Sequence, residues 1–232
     1  MDAKFDAILF DIDGTLLDVD MNTFMPEFFA HFSDYFCKKG NSEKITDWLL
    51  KALNSVRNNN GRYTNEYVFL NHFSKYIDTS PKELRNELDL FFRSSFPNLK
   101  NITQKKPSAR KVVEKAFNHS NNVIISTDPI VPLIAAEKRL EWAGVANFSY
   151  NLITTYENSC TTKFSSNYFK NIFKLLQLNP KKCLVVGNET DDMKSSLHGC
   201  STFLVDDPYI TLEPNTPHPT YKGKLIELLE II

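Results

Sequence analysis

The chain has 232 residues, 42% hydrophobic and 24% charged, enough to bury a core as one large domain or two small ones. Its 27 basic and 28 acidic side chains leave a net charge of −1, which gives no reason to expect nucleic acid or an anionic membrane as partner. No run of about 18 apolar residues is present, which excludes a spanning helix, and four cysteines at 37, 160, 183 and 200 without CxxC spacing argue against a disulfide framework or a zinc site.

The first apolar stretch, "AILF" (7–10), is four residues long and stops at Asp11, too short for a signal peptide; a cytoplasmic location is expected. Those four residues read as the end of a buried strand. From residue 22 to 100 the spacing turns helical. "MPEFFAHFSDYFCKK" (25–39) sets Phe28, Phe29, Phe32 and Phe36 on one face, and "KITDWLLKALNSV" (44–56) does the same with Ile45, Trp48, Leu49, Ala52, Leu53 and Val56. "NNNGRY" (58–63) is a turn, "NEYVFLNHFSKYI" (65–77) a third amphipathic segment, and "PKELRNELDLFFRSSF" (81–96) a fourth. The last opens with Ser80 as N-cap, Pro81 at the first helical position and Glu83 three residues after the cap.

From about residue 107 helices and strands alternate. "SARKVVEKAFNH" (108–119) predicts a helix and "NVIIST" (122–127) a strand. "VPLIAAEKRLEWAG" (131–144) predicts a helix closed by Gly144. "YNLITT" (150–155), "KCLVVGN" (182–188) and "STFLV" (201–205) predict strands. "NYFKNIFKLLQL" (167–178), "DDMKSSLHG" (191–199) and "YKGKLIELLEII" (221–232) predict helices. The continuous apolar run in "CLVV" suits a strand covered on both faces, and Cys183 and Cys200 beside such runs read as reduced core thiols. The expected fold is α/β: a Rossmann-like parallel sheet with helices on both faces, formed by residues 1–17 and 106–232, plus an inserted α-helical cap domain over 18–105.

Parallel sheets bind ligands beyond the carboxyl ends of their strands. Asp11, Asp13, Gly14 and Thr15 follow the first strand. Ser126, Thr127 and Asp128 follow the second, Lys163 comes after "NLITTYENSCTT", and Gly187, Asn188, Glu189, Asp191 and Asp192 follow "CLVV". If the strands are neighbours, these groups form one cluster of carboxylates, an ammonium and a hydroxyl. Gathered carboxylates repel one another, and a hard divalent cation such as Mg²⁺, which takes oxygen ligands, cancels that repulsion. A lysine and a hydroxyl hold the remaining oxygens of a phosphate. An ionised aspartate can then attack phosphorus, and a second aspartate two residues on can protonate the leaving group.

"DIDGT" (11–15), Thr127, Lys163 and "GNETDD" (187–192) occur in the order of the four motifs of the haloacid dehalogenase superfamily, which the chain resembles from residue 5 to about 205. The helical insertion resembles the cap of its phosphoglycolate-phosphatase-like branch. The resemblance implies that Asp11 is the nucleophile, forming an aspartyl-phosphate and touching Mg²⁺. It implies that Asp13 is the general acid and base, with its backbone carbonyl on the metal. Thr127 would bind the transferring phosphoryl group, and Lys163 would steady nucleophile and phosphate. Asp192, Glu189 and Asn188 are the residues available to complete the metal shell. Two positions depart from the pattern: Phe164 follows Lys163 where the family usually has proline, and Asn188 stands at the first acidic place of the motif often read GDxxxD. Asp191 is expected to face solvent.

The leading expectation is a Mg²⁺-dependent phosphatase acting on a small phosphorylated metabolite, as monomer or homodimer, with Arg57, Arg62 and Tyr63 of the cap turns as residues that could reach the substrate. The alternatives are a phosphomutase, a haloacid dehalogenase, and a catalytically weakened protein that binds a ligand or partner. Relatives that dehalogenate lack the second aspartate, so Asp13 argues against that chemistry.

Overall fold

The computed structural model describes residues 4–37, 42–210 and 212–232, which include every predicted site residue; Lys38 and Lys39 of the first predicted helix lie outside them. Strand β1 (Ala7–Phe10) is followed by the two-residue strand β2 (Leu17–Asp18). Helices α1 (Met21–Phe36), α2 (Ser42–Arg57), α3 (Asn65–Tyr76) and α4 (Pro81–Ser94) then run in succession, with a 3₁₀ segment over Phe96–Ile102. The chain returns through β3 (Gln104–Lys105), which pairs antiparallel with β2, Leu17 opposite Lys105 and Asp18 opposite Gln104. This small ribbon was not visible in the sequence: two residues cannot display an alternating pattern. It joins the helical block to the rest of the chain at both of its ends.

The block packs on phenylalanine. Phe28, Phe32 and Phe36 are buried as predicted, joined by Phe24, while Phe29 is half-buried. Phe32 stacks on Phe36 at 4.6 Å between ring centroids and meets Phe91 edge-on at 5.1 Å, geometries that favour the ring quadrupoles. Ser80 and Glu83 form the predicted reciprocal cap at the start of α4. Thr64 caps α3 by accepting from the Tyr67 amide.

The remainder alternates as the sequence indicates: α5 (Ala109–His119), β4 (Asn122–Ile125), α6 (Leu133–Ala143), β5 (Leu152–Ile153), α7 (Asn167–Leu175), β6 (Cys183–Gly187), the single turn α8 (Thr190–Met193) with 3₁₀ residues Lys194–His198, and β7 (Ser201–Val205). Gly144 closes α6 at φ 75°, as a left-handed cap requires. One expectation fails. Residues 221–232 are not a helix: Tyr221–Gly223 form β8, parallel to β7, and only Leu225–Glu230 turn, as 3₁₀. Gly223, near the start of the predicted helix, sits at φ 158° and leaves the chain free to run along the sheet edge first.

The sheet is six-stranded and parallel, in the order β5-β4-β1-β6-β7-β8. Side chains alternate across it. Ile8 and Phe10 face the larger core with α5, α6 and the helical block, while Ala7 and Leu9 face α7 through Tyr168, Phe169, Ile172 and Phe173. The helical block is fastened to the α/β part a second time, at the start of α3. There the Asn65 side chain donates to the Pro129 carbonyl at 2.9 Å and the Thr161 carbonyl at 3.1 Å. The backbone amides of Asn65 and Glu66 donate to the carbonyls of Ser159 and Tyr156, each at 2.8 Å.

Candidate active site

Strand β1 lies between β4 and β6, so the chain moves outward from β1 to β4 and β5, then crosses back to β6. A parallel sheet opens a crevice at the carboxyl ends where this reversal occurs. Asp11 follows β1, Thr127 follows β4, Lys163 lies between β5 and α7, and Asn188 and Glu189 follow β6. A cavity of about 310 Å³ sits there, between the sheet and the helical block. Asp11, Asp13, Thr127, Lys163 and Glu189 line it, together with Asp128, Asp191, Arg139 and Arg57. Asn188 and Asp192 are buried behind that wall.

Lys163 is the electrostatic centre. Its ammonium donates to Asp11 Oδ1 at 2.5 Å and to Asp192 Oδ1 at 2.8 Å, and all three residues are buried. Burial alone would lower the ammonium's pKa, but Asp11 and Asp192 reverse that and hold it well above its ordinary value. Burial pushes the Asp192 carboxyl up and the ammonium opposes it. The lysine loop is itself held by Asp128, whose carboxylate accepts the Lys163 amide at 3.1 Å. Phe164 stands exposed beside it, with the Arg57 guanidinium 5.1 Å from its ring centroid. Lys170, on α7, is exposed and takes no part.

The second carboxylate, Asp13, has a partner that sequence reasoning missed. Arg139 of α6 donates through Nη1 to Asp13 Oδ2, and its Nη2 is buried without a partner among the described residues. Burial raises the Asp13 pKa, Arg139 opposes the rise, and the Asp11 charge adds to it. A signal was present: Ala135, Ala136, Arg139, Leu140 and Ala143 share the buried face of α6, so Arg139 is a charge at a position where periodicity calls for an apolar residue.

The site needs glycine at two places. Gly14 has φ 75°, and a Cβ there would lie 2.0 Å from Asn188 Nδ2 and 2.3 Å from Asp207 Oδ2. A Cβ on Gly187 would lie 2.1 Å from Asp192 Cγ. Both absences let neighbouring loops close on each other. Asn188 is fully engaged in that closure: its Oδ1 accepts from the Thr15 hydroxyl at 3.1 Å, and its amide donates to Asp207 Oδ2 at 2.7 Å. Asp207 was not singled out, because it lies in a Pro-rich loop with no pattern of its own.

Two further expectations are corrected. Asp191 does not face solvent; it is buried on the cavity wall and paired with Lys194 at 2.6 Å. Of the three cap residues, Arg57 lines the cavity, whereas Arg62 lies over the Tyr63 ring and Tyr63 stacks on Tyr67, away from it.

The donor set suits a hard cation. The polar side chains at the β1 and β6 ends offer oxygen, and the carboxylates of Asp11, Asp13, Glu189 and Asp192 outnumber the cations Lys163 and Arg139. The imbalance shows in Glu189, whose carboxyl is pushed up to about 8 by burial, against the pull of Lys163 and with help from Asp11, Asp192 and Asp13. No three His, Cys, Asp or Glu side chains among the described residues are gathered as a ready cage. Mg²⁺ is usually held by one or two carboxylates with water and phosphate oxygens completing its octahedron.

The family model for haloacid dehalogenase-like hydrolases matches residues 5–196, and the chain belongs to that family. No curated protein matches it. Solved structures that it resembles include a predicted phosphoglycolate phosphatase from Haemophilus somnus, 17% identical with a TM-score of 0.58 over 98% of both chains. A HAD phosphatase from Thermococcus onnurineus is 17% identical with a TM-score of 0.61 over 97% of both chains. The L-2-haloacid dehalogenase from Xanthobacter autotrophicus, with chloropropionic acid covalently bound, is 15% identical with a TM-score of 0.57 over 98% of both chains. At these identities the likeness establishes the α/β fold of the family. Among the described residues no helix is long and apolar enough to cross a membrane.

Proposed function

We propose that the protein is a Mg²⁺-dependent phosphatase that hydrolyses a small phosphorylated substrate through an aspartyl-phosphate on Asp11. The observation that carries this reading is a second carboxylate, Asp13, on the wall of the same cavity as Asp11 and its lysine. A phosphate ester needs a proton delivered to its departing oxygen, and a halide does not. Lys163 donates to Asp11 Oδ1 and fixes the carboxylate in direction. Asp11 attacks phosphorus, the ester P–O bond breaks, and Asp13 gives its proton to the leaving alkoxide. Asp13, now ionised, takes a proton from a water that attacks the acyl phosphate; the P–Oδ bond breaks, releasing phosphate and restoring Asp11. Burial favours the protonated Asp13 and Arg139 the ionised one, so the group is suited to both halves. Thr127, on the cavity wall, would donate to a phosphoryl oxygen. When bound, Mg²⁺ supplies positive charge between the two anions; Asp11, the Asp13 carbonyl and Glu189 are the groups that would hold it, with Asp192 and Asn188 behind them.

A second reading has one observation in its favour. The unpartnered Nη2 of Arg139, in a cavity with largely apolar walls, suits the carboxylate of a haloacid. Both readings are tested together by incubating the protein with a panel of phosphate monoesters and with 2-chloropropionate, with Mg²⁺ or with EDTA. Phosphate release that requires Mg²⁺ and disappears in Asp11→Asn is expected. Chloride release without phosphate release would establish the dehalogenase, and equal phosphate release by Asp11→Asn would remove Asp11 as nucleophile.

A further inference from the structure

The cavity is chemically two-sided. Its charged groups come from the strand-end loops and α6, where the reaction takes place. The helical block contributes Phe24, Phe28, Leu49, Leu53, Phe92 and Phe96 among other apolar side chains, and a single polar one among the described residues, Arg57. Arg57 is not aimed at a guest: its guanidinium rests against the exposed ring of Phe164. Apolar space left empty in a core is destabilising, and about 310 Å³ is ample for a small apolar guest. A sugar leaving group placed against these walls would lose its water and gain no hydrogen-bond partner.

We infer that the substrate is the phosphate monoester of an apolar alcohol, whose hydrocarbon part fills the phenylalanine- and leucine-lined side of the cavity. This rests on the phosphatase reading above and names its substrate class. The phosphoryl group meets Asp11 and Lys163, and the alkoxide oxygen lies towards Asp13. The carbon skeleton then extends beneath α1, α2 and α4, where burial of each methylene strengthens binding without any directional contact.

The test separates pocket from chemistry by using phosphonates, which bind but are not hydrolysed. Ethyl-, butyl- and hexylphosphonate, and 2-hydroxyethylphosphonate, are titrated into the full chain with Mg²⁺ and followed by calorimetry. Affinity should rise roughly three- to fourfold per methylene, about 10²-fold from ethyl to hexyl, and the hydroxylated compound should bind more weakly than ethylphosphonate. Leu53, only partly buried, is the site for a control. Leu53→Gln should flatten the ladder to under about twofold per methylene with the folded circular-dichroism spectrum retained. A flat ladder in the unaltered protein, or tighter binding of the hydroxylated phosphonate, overturns the inference. Hydrolysis of hexyl phosphate is assayed in parallel against glycerol 3-phosphate. A steep ladder with no phosphate released from hexyl phosphate overturns the phosphatase reading and leaves the apolar subsite standing. Release from hexyl phosphate at a kcat/KM at least tenfold above glycerol 3-phosphate supports both.

Discussion

Replacing Lys163 with methionine keeps the bulk of the side chain and removes the one ammonium shared by Asp11 and Asp192, 2.5 and 2.8 Å away in a buried cluster. Breaking a buried ion pair by deleting one partner costs about 3–5 kcal/mol. Here two carboxylates are stranded, so a loss near 5 kcal/mol is expected at pH 7.5 with EDTA present, a large share of the roughly 5–15 kcal/mol that holds a domain together. The loss must depend on pH. With the ammonium gone, burial raises Asp192 further above its unfolded value, so the folded variant prefers the protonated carboxyl. Its stability is present below the unfolded pKa and declines as pH rises through the folded one. The gap between variant and unaltered protein, read from urea unfolding, should therefore be small near pH 4.5 and widen by up to about 1.4 kcal/mol per pH unit per carboxylate. Lys163→Met with Asp192→Asn should recover part of the gap at pH 7.5. A gap below about 1 kcal/mol at pH 7.5, or one that does not change with pH, would refute the view that Lys163 neutralises both carboxylates.

Three other outcomes are expected. Arg139→Met should lower kcat/KM by about 10²-fold by freeing Asp13, with partial rescue by Arg139→Lys, and an unchanged kcat/KM would show that Asp13 needs no such support. Gly14→Ala places a Cβ 2.0 Å from Asn188 at a positive φ, whereas Gly61→Ala meets nothing within 4 Å at φ 83°. Both lose about 1–2 kcal/mol from backbone conformation, Gly14→Ala should lose more in urea unfolding, and equal losses would mean that the Asn188 contact yields freely. Glu189, pushed up to about 8 from 4.5, favours its protonated form in the fold, so metal-free stability is present below pH 4.5 and is lost as pH rises towards 8. Glu189→Gln should abolish that part of the decline, leaving the variant a few kcal/mol more stable than the unaltered protein at pH 8, and parallel pH profiles would contradict the assignment.

The strand ends were legible because a parallel sheet leaves a strong trace: apolar runs such as "AILF" and "CLVV" stop abruptly at acids, and their order along the chain needs only the usual handedness to bring the acids together. The helical block was legible through its phenylalanine spacing. Less could be read where structure depends on partners remote in sequence. The β2–β3 ribbon consists of two residues on either side of the insertion, and nothing local distinguishes Gln104–Lys105 from loop. The C-terminal segment carries helical spacing, yet an open sheet edge beside β7 recruits Tyr221–Gly223 first. The same holds for Asp191, whose place on the wall depends on Lys194 and the packing of α8.

Asn65 carries a consequence for the shape of the cavity. With the two backbone contacts at its end of α3, it buckles the phenylalanine-rich half down over the catalytic half through four hydrogen bonds. At a net 0.5–1.5 kcal/mol apiece, they contribute about 2–6 kcal/mol to holding the two parts together. The two walls of the cavity are thus held in register by an asparagine that lines neither of them.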